Sequence, residues 1–314
     1  MSDKRAIIID TDPGQDDAVA ILSALGAPQL DVLGITAVAG NVPLALTQRN
    51  ARIICEWAGR PDVPVFAGAE APLLRPLITA EHVHGKTGMD GVPLHEPDMP
   101  LQPQHAADFI VQTLRSRPAG SVTLCALGPL TNLALALRMA PDIAPRIREI
   151  VLMGGSYFEG GNITPAAEFN IYVDPHAADV VVRCGAPIVM MPLDVTHKAR
   201  TSAERIGWLR ALPNRAGNLA ADSMTTLERY DVQRYGEFGA PLHDPTVIAY
   251  LLQPALFSGR QVNVSVELAG EFTLGATVID WWGVSGRAAN VQYITEIDAD
   301  GFFRLLASCL GRLP

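Results

Sequence analysis

The amino-acid sequence predicts an α/β fold: a mainly parallel sheet with helices on both faces, extended by a C-terminal antiparallel and helical elaboration. Three observations carry this. From Ala6 to Pro192, apolar runs of strand length alternate with segments of helical period. The runs are continuously apolar, as strands buried on both faces are. Beyond Pro192 the pattern switches to helical segments and then to runs alternating apolar with polar residues, the mark of antiparallel strands.

The elements follow in order. Residues 6–25, AIIIDTDPGQDDAVAILSAL, read as strand, tight turn and helix, with Pro13-Gly14 at the turn. Strand-length runs recur at 31–38, 63–67, 122–126, 149–153 and 187–191, and helical patterns at 44–58, 106–115, 130–139 and 176–184. Such βαβ alternation builds a parallel sheet covered on both faces. Gly26, Gly59 and Gly185 lie just past helical segments, where a left-handed glycine commonly ends a helix. Two or three helices are expected over 203–234, broken at Pro213-Asn214. Antiparallel strands are expected at 262–268, 273–282 and 290–297, and a last helix at 301–310. No internal repeat or low-complexity linker divides residues 1–314, so one domain is expected.

Composition narrows the function classes. The 314 residues are 48% hydrophobic, enough for a large core, and carry a net charge of −9 with no basic cluster. A nucleic-acid backbone is therefore not the expected partner. Lys4 and Arg5 precede only a short apolar run ending in Asp10, unlike a signal peptide, and no membrane-length apolar stretch follows. Cys55, Cys125, Cys184 and Cys309 are scattered without a CxxC pair. Free thiols in a reducing compartment, by default the cytoplasm, are the expectation.

The chemistry concentrates at the first turn, where Asp10, Asp12, Asp16 and Asp17 fall within eight residues. A helix N-terminus stabilises each nearby carboxylate by only about 0.3–1 kcal/mol, too little to hold four acids together. A bound hard cation is the natural remedy, and oxygen-only ligands suit calcium or magnesium. A lone DxD after a strand is as often structural, one Asp serving as an N-cap. More polar groups follow the later strands: Asn41, then LGPLTN, then GGSYFEGGNITPAAEFN, then Asp194 and His197. Strand ends meet on one edge of such a sheet, where ligands bind.

The strings DTDPGQDD, VAGN, LGPLTN, VLMGG, GNITPAAEFN and HDP span nearly the whole chain in this order. They resemble the nucleoside hydrolase family of the inosine-uridine preferring type, N-ribohydrolases that split ribonucleosides into free base and ribose. The resemblance implies the Rossmann-like fold of that family and one calcium ion per subunit. Its protein ligands would be Asp12, Asp17, the backbone carbonyl of Leu127 and Asp244. Asp12 would also be the general base. Asp16, Asn41, Asn162, Glu168 and Asn170 would hold the ribose, with Met153 either beneath the sugar or simply core. His243, beside Asp244, is the leading candidate for protonating the leaving base, and His82 the second. Thr11 stands where many members carry a small residue such as Cys, outside the implied ligands.

Some assignments stay open at this level. Gly85, Gly88 and Gly91 would let the loop HVHGKTGM close over substrate, or the loop is an ordinary surface one. Tyr230 and Tyr235 suit either a flap over the base or packing; Trp281-Trp282 suits an edge or subunit contact better than purine stacking. Members that bind purines with tryptophan carry it near the position of His82, so His82 implies the pyrimidine-preferring or nonspecific branch. Relatives being dimers or tetramers, a homo-oligomer is implied. The DxD after the first strand would also suit magnesium-dependent phosphoryl transfer, but no P-loop is present, and Lys86 and Lys198 are isolated. A non-catalytic nucleoside-binding protein would need neither Asp12 nor His243.

Overall fold

The computed structural model describes residues 4–235 and 239–314, except for the side chains of residues 231 and 233–235. The strands are β1 (Arg5–Thr11), β2 (Leu30–Ala37), β3 (Val65–Ala67), β4 (Leu101–Gln102), β5 (Val122–Ala126), β6 (Ile147–Met153), β7 (Ile188–Met191), β8 (Phe257–Val266), β9 (Thr277–Asp280) and β10 (Val291–Ile297). They form one sheet in the order β4-β3-β2-β1-β5-β6-β7-β10-β8-β9. β1 to β7 pair in parallel, as their continuous apolar runs require. β10 joins β7 in parallel and β8 in antiparallel, and β9 closes the edge antiparallel to β8. The C-terminal elaboration thus continues the main sheet instead of forming a separate antiparallel layer.

The helices are α1 (Gln15–Leu25), α2 (Leu44–Trp57), α3 (Glu81–His84), α4 (Ala106–Ser116), α5 (Thr131–Met139), α6 (Phe169–Val173), α7 (Pro175–Val182), α8 (Leu193–Thr196), α9 (Ala203–Arg210), α10 (Arg215–Tyr235), α11 (Pro245–Leu252) and α12 (Ala299–Leu310). Side-chain alternation along β1 divides the core in two. Ile7 and Ile9 pack with α1, α2 and α9 to α12; Ala6 and Ile8 pack with α4, α5 and α7. Every residue of α1 is buried, which explains why its sequence lacks a polar face. None of the described helices is long and apolar enough to cross a membrane.

Two of the three helix-ending glycines behave as expected: Gly59 and Gly185 have φ of 65° and 84°. Gly26 does not. Its φ is −81°, an ordinary helical value, and its missing side chain serves close packing instead. A Cβ there would lie 2.2 Å from the backbone oxygen of Cys309 at the end of α12.

Strand order reverses between β1 and β5, since the chain fills one side of the sheet with β2 to β4 and the other with β5 to β7. The carboxyl ends of β1 and β5 therefore open a crevice at a topological switch point. Asp12 and Leu127 follow those two ends directly. Gly26→Ala should lower unfolding stability by roughly 1–3 kcal/mol through overpacking against α12, read in a urea titration; an unchanged midpoint contradicts this packing.

Candidate active site

A cavity of about 530 Å³ opens at this crevice, a size suited to a small ligand. It collects residues far apart in sequence. Asp16, Asn41, Leu127 and Asp244 face it from the side of β1 and β5. Met153, Asn162, Glu168 and Asn170 face it from β6 and the loop beyond. His82 and His243 face it as well. Asp12 and Asp17 do not line it and are buried behind its wall, 1% and 0% exposed.

Three of the acids meet at its wall. One carboxylate oxygen each from Asp16, Asp17 and Asp244 lies within 4.8 Å of the others. Asp16 and Asp17 occupy the first turn of α1, and Asp244 immediately precedes α11 at its N-terminus, so two helix dipoles point at the group. Asp17 accepts from the Thr11 hydroxyl, from Gly14 N at 2.9 Å and from Asn41 Nδ2 at 3.3 Å. The unusual Thr11 thus serves a carboxylate. Asp12 borders the trio and accepts from Asn41 N at 2.7 Å. Its carboxylate is held between two glycines. A Cβ at Gly40 would fall 2.0 Å from Asp12 Oδ2, and one at Gly128 2.3 Å from Oδ1.

Burial and mutual repulsion push these carboxyl groups upward. For Asp12 and Asp244 the rise is large: desolvation leads, followed for Asp12 by Asp17 and for Asp244 by Asp16. Asp16 and Asp17 also rise, chiefly by desolvation. None of the ion pairs among the described residues includes any of the four. Crowded, buried, oxygen-only and without a paired cation, this donor set fits a hard divalent ion. The Leu127 carbonyl accepts from Asn170 Nδ2 at 2.7 Å, which leaves its second lone pair available.

The loop after β6 supplies the opposite wall. Glu168 caps α6, accepting from Asn170 N at 2.8 Å, Gly155 N at 3.0 Å and Ile171 N at 3.2 Å. Burial pushes its carboxyl up to about 7. Asn162 accepts from Phe169 N at 2.9 Å, and Met153 is 3% exposed at the end of β6. Asp194 fastens the loop, accepting from Tyr157 N at 2.9 Å, Phe158 N at 2.6 Å and Glu159 N at 3.0 Å, and from the Tyr293 hydroxyl of β10.

The histidines divide. His243 Nδ1 lies 2.8 Å from Thr196 Oγ1; desolvation, then His197 and His84, push its imidazole down to about 3. His82 is exposed at the cavity mouth, edge-on to Tyr230 at 6.2 Å between ring centroids. His84, passed over in the sequence in favour of His82, is buried, with Nδ1 2.6 Å from Gln15 Oε1. The loop that follows it is tied down: Gln15 Nε2 donates to the His84 and Asp90 carbonyls, and Asn50 Nδ2 to the Pro13 and Thr87 carbonyls. Gly85, Gly88 and Gly91, at φ of 79°, 81° and 95°, supply left-handed turns there.

Several residues singled out in the sequence lie off the cavity. Asp10 stands off the cavity, accepting from Thr36 and Asn132. Asn132, fully buried, donates to Asp10 and Ala37 and accepts from Ala69 N, tying strand ends together. Trp281 packs 5.2 Å from Phe158 and Trp282 is 79% exposed, both away from the cavity lining. The side chain of Tyr235 lies outside the described residues. Glu159, His197 and Arg200 line the cavity without having been assigned a role from sequence. Their signal was position alone, in loops following β6 and β7.

The profile of the inosine-uridine preferring nucleoside hydrolases matches residues 7–304. An uncharacterised protein of Schizosaccharomyces pombe is 52% identical over 98% of this chain and 99% of its own. The pyrimidine-specific ribonucleoside hydrolase RihA of Citrobacter koseri is 45% identical over 97% of each chain. Among solved structures, a plant nucleoside hydrolase superposes with a TM-score of 0.91 at 32% identity, covering 98% of this chain and 99% of that one. A purine-preferring ribonucleoside hydrolase of Gardnerella vaginalis also reaches 0.91, at 30% identity over 98% of each chain. With a matching profile, relatives of full length and the same mostly parallel sheet, the chain belongs to the inosine-uridine preferring nucleoside hydrolase family, glycosidase-type enzymes that cleave nucleosides.

Proposed function

We propose that this enzyme hydrolyses the N-glycosidic bond of ribonucleosides, pyrimidine ones first, with one calcium ion at the carboxylate cluster. The observation that carries the reading is the trio of Asp16, Asp17 and Asp244 oxygens within 4.8 Å at the cavity wall, with Asp12 beside it. Asp12, Asp17, Asp244 and the Leu127 carbonyl would hold the ion. Bound there, calcium supplies an acidified, oriented water and a grip on vicinal hydroxyls.

The chain's own groups do the rest. Asp12, fixed by Asn41 and the two glycines, takes the proton of the attacking water. Asp16 and Asn41 on one wall, and Asn162, Glu168 and Asn170 on the other, grip the ribose hydroxyls, with Met153 under the ring. Positive charge builds on the sugar as the bond to the base breaks, and the surrounding carboxylates favour it. His243 donates to the departing base, with His82 at the mouth as the second group in reach. The 45% identity to a pyrimidine-specific enzyme supports the pyrimidine preference. We further read the chain as a single-domain, cytoplasmic homo-oligomer. The continuous sheet supports the first part, and its free cysteines suit a reducing compartment.

The test is release of free ribose from uridine, cytidine and inosine. Asp12→Ala should lower kcat by roughly 10²–10⁴-fold, and a calcium chelator should abolish release reversibly; half-maximal activity in either case refutes the assignment. 2′-Deoxyuridine should react poorly, because an unpaired buried partner costs ~1–3 kcal/mol, roughly 5- to 150-fold in kcat/KM; turnover equal to uridine removes the ribose grip. Gly128→Ala, by displacing Asp12, should cost on the order of 10²-fold in kcat with an unchanged circular dichroism spectrum. Full activity would mean that the Asp12 position is not critical.

A further inference from the structure

We propose that Thr196 is a positioning residue that holds His243 in the tautomer with its proton on Nε2, aimed into the cavity at the nucleobase. The inference rests on the role given to His243 above. Thr196 ends α8, the single turn after β7, and is fully buried. Its hydroxyl lies 2.8 Å from His243 Nδ1. Among the described residues that hydroxyl makes no other hydrogen bond.

A hydroxyl and an imidazole nitrogen share this contact in one of two ways. If Nδ1 carried the ring proton, Thr196 would accept it, and the hydroxyl's own proton would be left buried with no acceptor. An unsatisfied buried donor costs ~1–3 kcal/mol. If Thr196 donates, both members of the contact are satisfied, and the ring proton resides on Nε2. His243 Nε2 has no protein partner among the described residues, yet it is not among the sealed unsatisfied atoms, and His243 lines the cavity. Nε2 therefore opens toward the ligand space as a donor.

The consequence is chemical. As the bond from the sugar carbon to the base nitrogen breaks, its electron pair leaves with the base. The hydroxide left by the attacking water bonds to the carbon, and Asp12 holds the water's proton. Negative charge developing on the base's carbonyl and ring nitrogen meets the Nε2–H of His243; the freed base then takes a proton from solvent. The wrong tautomer would present a lone pair to that charge and repel it. The same turn braces the neighbourhood: Asp194 fastens the loop after β6, and His197 Nδ1 lies 3.1 Å from Glu159.

Leaving-group dependence separates positioning from structure. Uridine needs help for its base to depart, whereas p-nitrophenyl riboside carries a leaving group that needs little. Thr196→Val keeps the shape and removes the hydroxyl. It should lower kcat on uridine by roughly tenfold or more and change kcat on the aryl riboside far less, while Thr196→Ser restores uridine turnover. Equal losses on both substrates, or no loss on uridine, overturn the proposal. His243→Ala is measured alongside. If it shows no uridine-selective loss, the reading of His243 fails and the proposal with it; if it does and Thr196→Val does not, the proposal alone fails. Should Thr196→Val not fold, long-range ¹H–¹⁵N spectra of the unmodified enzyme decide: protonated Nε2 is expected, and protonated Nδ1 overturns the assignment.

Discussion

The structure is built around a place where negative charge is made to crowd. Asp12, Asp16, Asp17 and Asp244 are all buried at the carboxyl edge of the sheet, in an environment that opposes their ionisation. Burying a single unpaired carboxylate is costly, and several together are tolerable only with a cation or with protons. Much of the surrounding architecture serves to keep them there. Strand order reverses at β1 and β5, which opens the crevice. α1 and α11 aim their N-termini at it, and Asn41 bridges Asp12 and Asp17. Gly40 and Gly128 leave just the room that the Asp12 carboxylate fills.

The opposite wall is organised by a second set of buried acids with a different purpose. Glu168 and Asp194 spend their oxygens on backbone N–H groups of the long loop after β6. That loop has little regular structure, and these two side chains give it shape. Through Tyr293, Asp194 also connects the loop to β10. The C-terminal strands, remote from the chemistry in sequence, thereby help to set the cavity's form.

How much of this was legible beforehand follows from what each residue depends on. Continuous apolar runs report burial on both faces, so β1, β2 and β5 to β7 were readable almost to the residue. The parallel pairing of β10 with β7 was not, because β10 carries the alternating pattern of a partly exposed strand whichever way it runs. Motif residues such as Asp16, Asn170 and Asp244 do share one cavity. Residues acting through long-range hydrogen bonds were hidden. Asn132 stands in the first turn of α5, yet its partners are Asp10, 122 positions away, and Ala69, 63 positions away. His84 and His82 are indistinguishable in sequence, and only packing against Gln15 buries one of them.

The claim on which the rest depends is that the buried carboxylates form one divalent-ion site. Calorimetric titration of chelator-stripped protein with calcium tests it without reference to turnover. The account predicts one site per chain, its affinity greatly weakened in Asp17→Asn and in Asp244→Asn. Heat of binding that is absent, or that survives both substitutions unchanged, would contradict it.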